Sequence, residues 1–192
     1  MFKRLREALG GGAKAKEPAS ANRSPRVFLD GAYRLHHSDD VARITAFASE
    51  AFPTFANRIT CFAADWAGNQ FATDEDRIVR GERQILLLEP GIGEVLQIRC
   101  GLDTFHEGLL VEEPDATAAY SFFQKWLAAG GTAPGYEQCV GYKKLLFLGG
   151  VDEVSNLELS DFEVYWSVCG QLLSQVRNLP PGTRIGRVSI TD

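Results

Sequence analysis

The sequence predicts a single α+β domain, an antiparallel meander of about five or six strands packed by three to four helices. Three observations carry that expectation. Between residues 59 and 99, strand-length apolar runs alternate with short turns rich in Gly, Pro, Asn and Asp. Helical periodicity replaces that alternation on both sides of the stretch. The segment from Cys139 to Trp166 then reads as apolar run, Gly-Gly break, acidic loop and capped helix.

The chain has 192 residues, enough for one domain and a tail, and its 45% hydrophobic content with 12 Phe supports a sizeable core. Residues 1–25 read as a basic flexible tail or linker, and residues 26–192 as the folded domain. Phe2, Leu5 and Leu9 fall on one face of a nine-residue segment, too short to hold a helix alone. The longest unbroken aliphatic run, Ile85 to Leu88, is far below the roughly 18 residues of a membrane span. The basic N-terminus lacks the apolar stretch of a signal peptide, so the expected location is the cytoplasm.

Val27 to Leu29 suit a short strand. His36-His37 precede Ser38-Asp39-Asp40, a cluster of N-capping residues, and the helix expected next places Val41, Ile44, Phe47 and Ala48 on one face. It should end before Pro53. The two histidines read as exposed loop residues. Strands are expected over Ile59–Ala64, from Gln70, over Gln84–Glu89 and over Glu94–Arg99. Asp65 to Asn69 and Pro90-Gly91-Ile92-Gly93 serve as turns. Asp103 is expected to cap a short helix through Phe105 and Leu109. Pro114 opens a longer one that buries Ala119, Phe122, Phe123, Trp126 and Leu127 and stops at Gly130-Gly131.

Leu145 to Leu148 has the length of a buried strand. At Gly149-Gly150 the backbone is expected to need positive φ or a close approach. Ser160 and Glu163 have the capping-box spacing, and Val164, Val168, Leu172 and Val176 form the expected buried stripe of the last helix, with Trp166 and Leu173 beside it. Leu179-Pro180-Pro181-Gly182-Thr183 forces a turn, and Ile185, Val188 and Ile190 suit an edge strand.

Chemical motifs are scarce. Cys61, Cys100, Cys139 and Cys169 are far apart and read as buried free thiols. There is no nucleophile elbow, no His-Glu-x-x-His and no phosphate loop. Gly91-x-Gly93 lies between two expected strands, which excludes a dinucleotide fingerprint. No catalytic residue, metal ligand or cofactor is therefore expected. Residues 1–26 hold seven Lys/Arg and two Glu, while the remainder holds 13 Lys/Arg against 23 Asp/Glu, a net of −10. Such a body repels phosphates and suits a basic protein partner. The residues left over are turn-borne acids and aromatics: Asp65, Trp66, Asp152, Glu153, Glu158, Tyr165 and Trp166. They suit a partner interface, and both tryptophans equally suit a core in which the indole N–H finds a polar partner.

Several stretches together resemble a known family. They are Cys61-Phe-Ala-Ala-Asp-Trp-Ala-Gly-Asn-Gln-Phe71, Leu88-Glu-Pro-Gly-Ile-Gly-Glu-Val-Leu96, Phe105-His-Glu-Gly-Leu-Leu110, Gln138-Cys-Val-Gly-Tyr142, Phe147-Leu-Gly-Gly-Val-Asp152, Asn156-Leu-Glu158, Val164-Tyr-Trp166 and Leu179-Pro-Pro-Gly-Thr183. The pattern, over about residues 30–190, resembles the C-terminal domain of type VI secretion DNase-immunity proteins, often grouped with the SUKH-like immunity proteins. The resemblance implies a non-enzymatic α+β domain that binds and neutralises a cognate toxin, often a nuclease. In longer members this domain follows a second, N-terminal one. Two alternatives stay open: a small-ligand-binding or enzymatic domain with a cleft near Asp65, Trp66 and Asp152, and a regulatory interaction module without a toxin.

Overall fold

The structure, a computed structural model, describes residues 27–180, 183 and 188–190. The expected tail and residues 184–187 of the expected terminal strand lie outside the described residues. Six strands form one antiparallel sheet in sequence order: β1 (Val27–Phe28), β2 (Tyr33–Leu35), β3 (Ile59–Asp65), β4 (Gln70–Val79), β5 (Glu82–Glu89) and β6 (Glu94–Ile98). Strands β3 to β6 are the meander expected between residues 59 and 99, whereas β2, which joins β1 to it, is not among the expected strands. A second sheet pairs β7 (Gln138–Tyr142) with β8 (Leu157–Asp161).

Helices cover both faces of the main sheet. Helix α1 (Val41–Ala51) and helix α5 (Phe162–Val176) pack on one face around Cys61, Ala72, Leu86 and Leu88. Three helices cover the other, around Phe71, Ile85, Leu87 and Ile98. They are α2, built from Leu102–Thr104, a π turn Phe105–Leu109 and Leu110–Glu112, then α3 (Pro114–Ala118) and α4 (Tyr120–Ala128). Successive strand residues point to opposite faces, so a strand buried on both sides reads as a continuous apolar run. Ile85 to Leu88 is that run, and all four side chains are fully buried.

Several local expectations are corrected. Asp103 lies in the first turn of α2, behind the N-cap Gly101, and makes no cap bond. The helix expected from Pro114 is two, because Ala119 adopts left-handed φ/ψ of 48° and 42°. Leu145–Leu148 is not a strand: Leu146–Leu148 forms one 3-10 turn, and the strand lies earlier, in β7. The glycines after it behave as expected. Gly149 has φ of +81°, and a Cβ on Gly150 would sit 1.9 Å from the carbonyl oxygen of Lys144. Residues 188–190 are not in a strand; the Gln175 amide holds the backbone of Ser189 through Nε2 to O (2.7 Å) and N to Oε1 (3.2 Å).

The last helix starts one residue later than the capping box implies. Ser160 sits in β8 opposite Cys139, and Asp161 is the N-cap, accepting from the Val164 N–H at 3.0 Å. Glu163 pairs with Arg43 on α1 instead of closing a box. The buried face is accordingly Phe162, Tyr165, Trp166, Cys169, Leu172 and Leu173, whereas Val164 is 61% exposed. Replacing Asp161 by Ala should lower the unfolding free energy by about 0.5–2 kcal/mol, the usual loss of a cap. Urea denaturation of Asp161→Ala and Ser160→Ala checks this; equal losses at the two positions would contradict the assignment of the cap to Asp161.

Candidate functional site

The residues singled out in the sequence fall into two groups. Asp65, Trp66, Tyr165 and Trp166 are buried, at 0%, 1%, 7% and 1% exposure. Both tryptophans are core residues with satisfied indoles. Trp66 Nε1 donates to the Ala118 carbonyl at 2.9 Å, and Trp166 Nε1 to the Gly68 carbonyl at 2.8 Å. The β3–β4 turn is thereby tied to helices on both faces of the sheet. Asp65 closes that turn, accepting from the backbone N–H and the side-chain amide of Asn69 at 2.9 and 2.8 Å. Burial pushes its carboxyl up to about 7. Tyr165 lies against Gly141 and Gly91, where any Cβ would come within 2.4 Å of it. None of these four presents a surface to a partner. Of the three residues named for the alternative cleft, Asp65 and Trp66 lie in the core and Asp152 is half-buried.

The second group is at the surface. Glu153 and Glu158 are exposed, on the loop after Gly150 and on β8. Asp152 is half-buried and accepts a hydrogen bond from the Tyr142 hydroxyl at 2.8 Å. Asn156 fixes the loop between them: its amide donates to the carbonyls of Lys144 and Val151 at 2.8 and 2.9 Å, and its oxygen accepts from the Lys144 N–H at 3.0 Å.

The structure places a cavity elsewhere, with a volume of about 240 Å³. It opens where the end of β2, the first turn of α1, the loop before β7 and the β8–α5 junction meet. Its lining includes Arg34, Ile44, Tyr136, Glu137, Asp161 and Phe162, with His36, Arg43 and Glu163 completing the wall. Arg34 is 4% exposed; its Nη2 donates to the Gln138 carbonyl, and its Nε is buried without a hydrogen-bond partner. Burial lowers its pKa, and the charge of Asp65 acts in the opposite sense. His36 Nε2 donates to Gln70 Oε1 at 2.6 Å, and burial lowers its pKa to about 4, so the ring is neutral at physiological pH. The expectation of two exposed histidines therefore holds for His37 only. Arg43 is engaged by Asp40 at 2.7 Å and by Glu163. Asp40 also accepts from the Tyr136 hydroxyl at 2.9 Å. Sequence reasoning does not find this cavity. Its one visible signal is Arg34, a charge between Tyr33 and Leu35 in a strand-like segment.

The cavity and the acidic loop both draw on the C-terminal half of the chain. Residues 100–173 match the family model described as T6SS immunity protein Tdi1, C-terminal. The matched segment runs from the start of α2 into α5, and it agrees with the resemblance read from the sequence. It supplies Tyr136, Glu137, Asp161, Phe162 and Glu163 to the cavity, whereas Arg34, His36, Arg43 and Ile44 precede it. The fold is similar to the crystal structure of Atu4351 from Agrobacterium tumefaciens, with a TM-score of 0.56 and 14% identity over 77% of this chain and 70% of that one. No curated protein matches the sequence. Among the described residues no cluster of three or more His, Cys, Asp or Glu suits a metal ion, and no helix is long and apolar enough to cross a membrane. The four cysteines are buried free thiols, with those of Cys61 and Cys169 both pushed up to about 12 by burial.

Proposed function

We propose that this protein is an immunity-type antitoxin that acts without catalysis, binding and neutralising a cognate toxin of a bacterial type VI secretion system. The observation that carries this reading is the match of residues 100–173 to an immunity-protein family. The toxin we assign is a basic nuclease. Residues 27–192 carry 13 Lys/Arg against 23 Asp/Glu, and such a surface both attracts a nuclease's DNA-binding face and competes with phosphate for it. The exposed Glu153 and Glu158, with Asp152 beside them, form the encounter surface. Asp65, Trp66, Tyr165 and Trp166 act from beneath, by fixing the turn and the strands that support it. Encounter and neutralisation take place in the cytoplasm, where such a nuclease meets DNA.

The test is co-expression with the product of the adjacent reading frame, followed by pull-down and binding kinetics. The protein should rescue growth and form a complex with that product. The association rate should fall steeply with salt as the Debye length shrinks from ~10 Å at 0.1 M to ~3 Å at 1 M. Changing Glu153 and Glu158 together to Lys should slow association more than it speeds dissociation. A neighbouring toxin that neither binds nor is neutralised would overturn the antitoxin reading. A complex whose association ignores both salt and the charge reversal would overturn the acidic encounter surface.

A further inference from the structure

We infer that the cavity beside Arg34 is a binding site for a small zwitterion, a free α-amino acid whose carboxylate sits on Arg34 and whose ammonium faces Glu137 and Asp161. This goes beyond the antitoxin reading and does not depend on it.

The starting point is the buried guanidinium. Arg34 is only 4% exposed and lines the cavity, and its Nη2 donates to the neutral Gln138 carbonyl rather than to a carboxylate, while its Nε is enclosed away from the open space of the cavity. A buried charge held only by a neutral acceptor is costly, and native structures seldom retain one without a role. A guanidinium recognises carboxylates through paired N–H donors in one plane. The floor of the cavity therefore calls for an anion.

The mouth calls for the opposite charge. Glu137 is exposed. Asp161 uses Oδ1 to cap α5, which leaves Oδ2 outside the cap. The third acid, Glu163, is engaged by Arg43, so Arg43 does not offset the other two. An anion without a cationic group would be repelled at the mouth, and a cation without an anion would meet Arg34 at the floor. An occupant with a carboxylate and an ammonium a few ångströms apart satisfies both ends. Ile44 and Phe162 add apolar wall, which favours an alkyl or thioether side chain over a charged one. The volume of about 240 Å³ admits a molecule of that size. His36, neutral and held by Gln70, adds no competing charge.

The experiment is a thermal-shift screen of the full chain against each of the standard amino acids at millimolar concentration, followed by calorimetric titration of those that raise the melting temperature. At least one with an uncharged side chain should bind. Its decarboxylated amine and its deaminated acid should both bind at least tenfold more weakly. Glu137→Gln, a change at an exposed position, should weaken binding roughly tenfold, as expected for loss of one charge-assisted hydrogen bond. Arg34→Gln should abolish it. Absence of binding by every amino acid would overturn the proposal, and so would binding that is unchanged in Glu137→Gln or matched by the amine or the acid alone. None of these readouts involves a toxin, so failure here leaves the antitoxin reading standing.

Discussion

Replacing Trp166 by Ala should lower the unfolding free energy by about 3–5 kcal/mol, the range for removing a buried aromatic. The ring is 1% exposed and packs against Phe52 and Phe162, at centroid distances of 6.2 Å to each. It therefore joins α5 to the segment after α1 within one core. Its indole N–H donates to the Gly68 carbonyl, 98 residues away in sequence, at 2.8 Å. Truncation leaves a cavity and also strands that carbonyl in a turn already crowded against Cys139. Trp166→Phe separates the two effects, since it keeps most of the packing and loses the hydrogen bond; a loss of about 1–3 kcal/mol is expected for it. Denaturant titration of both variants decides the matter. If Trp166→Ala lost less than Trp166→Phe, the ring would not be a packing element of this core.

The same residue shows what the sequence can and cannot reveal. A buried tryptophan with a satisfied N–H and an interface tryptophan leave the same trace in a sequence, because both sit beside polar turn residues. The meander is legible because its strands are bounded by turn chemistry at Asp65–Asn69 and Pro90–Gly93, and hairpins are local objects. Leu145–Leu148 misleads because four apolar residues fit a strand and a single helical turn alike, and periodicity cannot separate them. The start of α5 is displaced by one residue because Ser160 and Asp161 are both good caps. Pairing of Ser160 with Cys139 in β8 decides between them, and that contact is non-local. The buried stripe moves with it, from Val164 and Val168 to Tyr165, Trp166 and Cys169. The cavity is out of reach for the same reason: its wall is assembled from residues 34–36, 43–44, 136–137 and 161–163.

Between pH 6.5 and about 8 the protein should become less stable as pH rises, and Glu89→Gln should remove much of that slope. Glu89 ends β5 at 1% exposure, and its Oε1 has no hydrogen-bond partner. Burial pushes its carboxyl up from 4.5 to about 8, and the charges of Asp65, Glu94 and Asp152 push it in the same direction. Asp65 is raised from 3.8 to about 7 by its own burial. In both cases the folded protein holds a proton that the unfolded chain has already released. Stability therefore falls with rising pH from the unfolded value to the folded one and is level above it. His36 acts in the other direction but in a different window. Its pKa is lowered from 6.5 to about 4, so it removes stability only as pH falls below 6.5. Above 6.5 it is neutral in both states, and the two buried acids are left as the titrating pair. A proton held by the folded state alone costs about 1.4 kcal/mol of stability for each pH unit climbed, so the loss across this window should be on the order of 2 kcal/mol. Gln has the shape of the protonated Glu and does not titrate. Glu89→Gln should therefore match the parent only near the unfolded value of 4.5, already exceed it in stability at pH 6.5, and exceed it by a wider margin at pH 8.5. Urea midpoints measured at steps between pH 6.5 and 8.5 test the assignment. A parent whose stability is flat or rising over that window, or a Glu89→Gln variant with the parent's slope, would show that Glu89 is already ionised in the folded protein and that its buried carboxylate has found compensation.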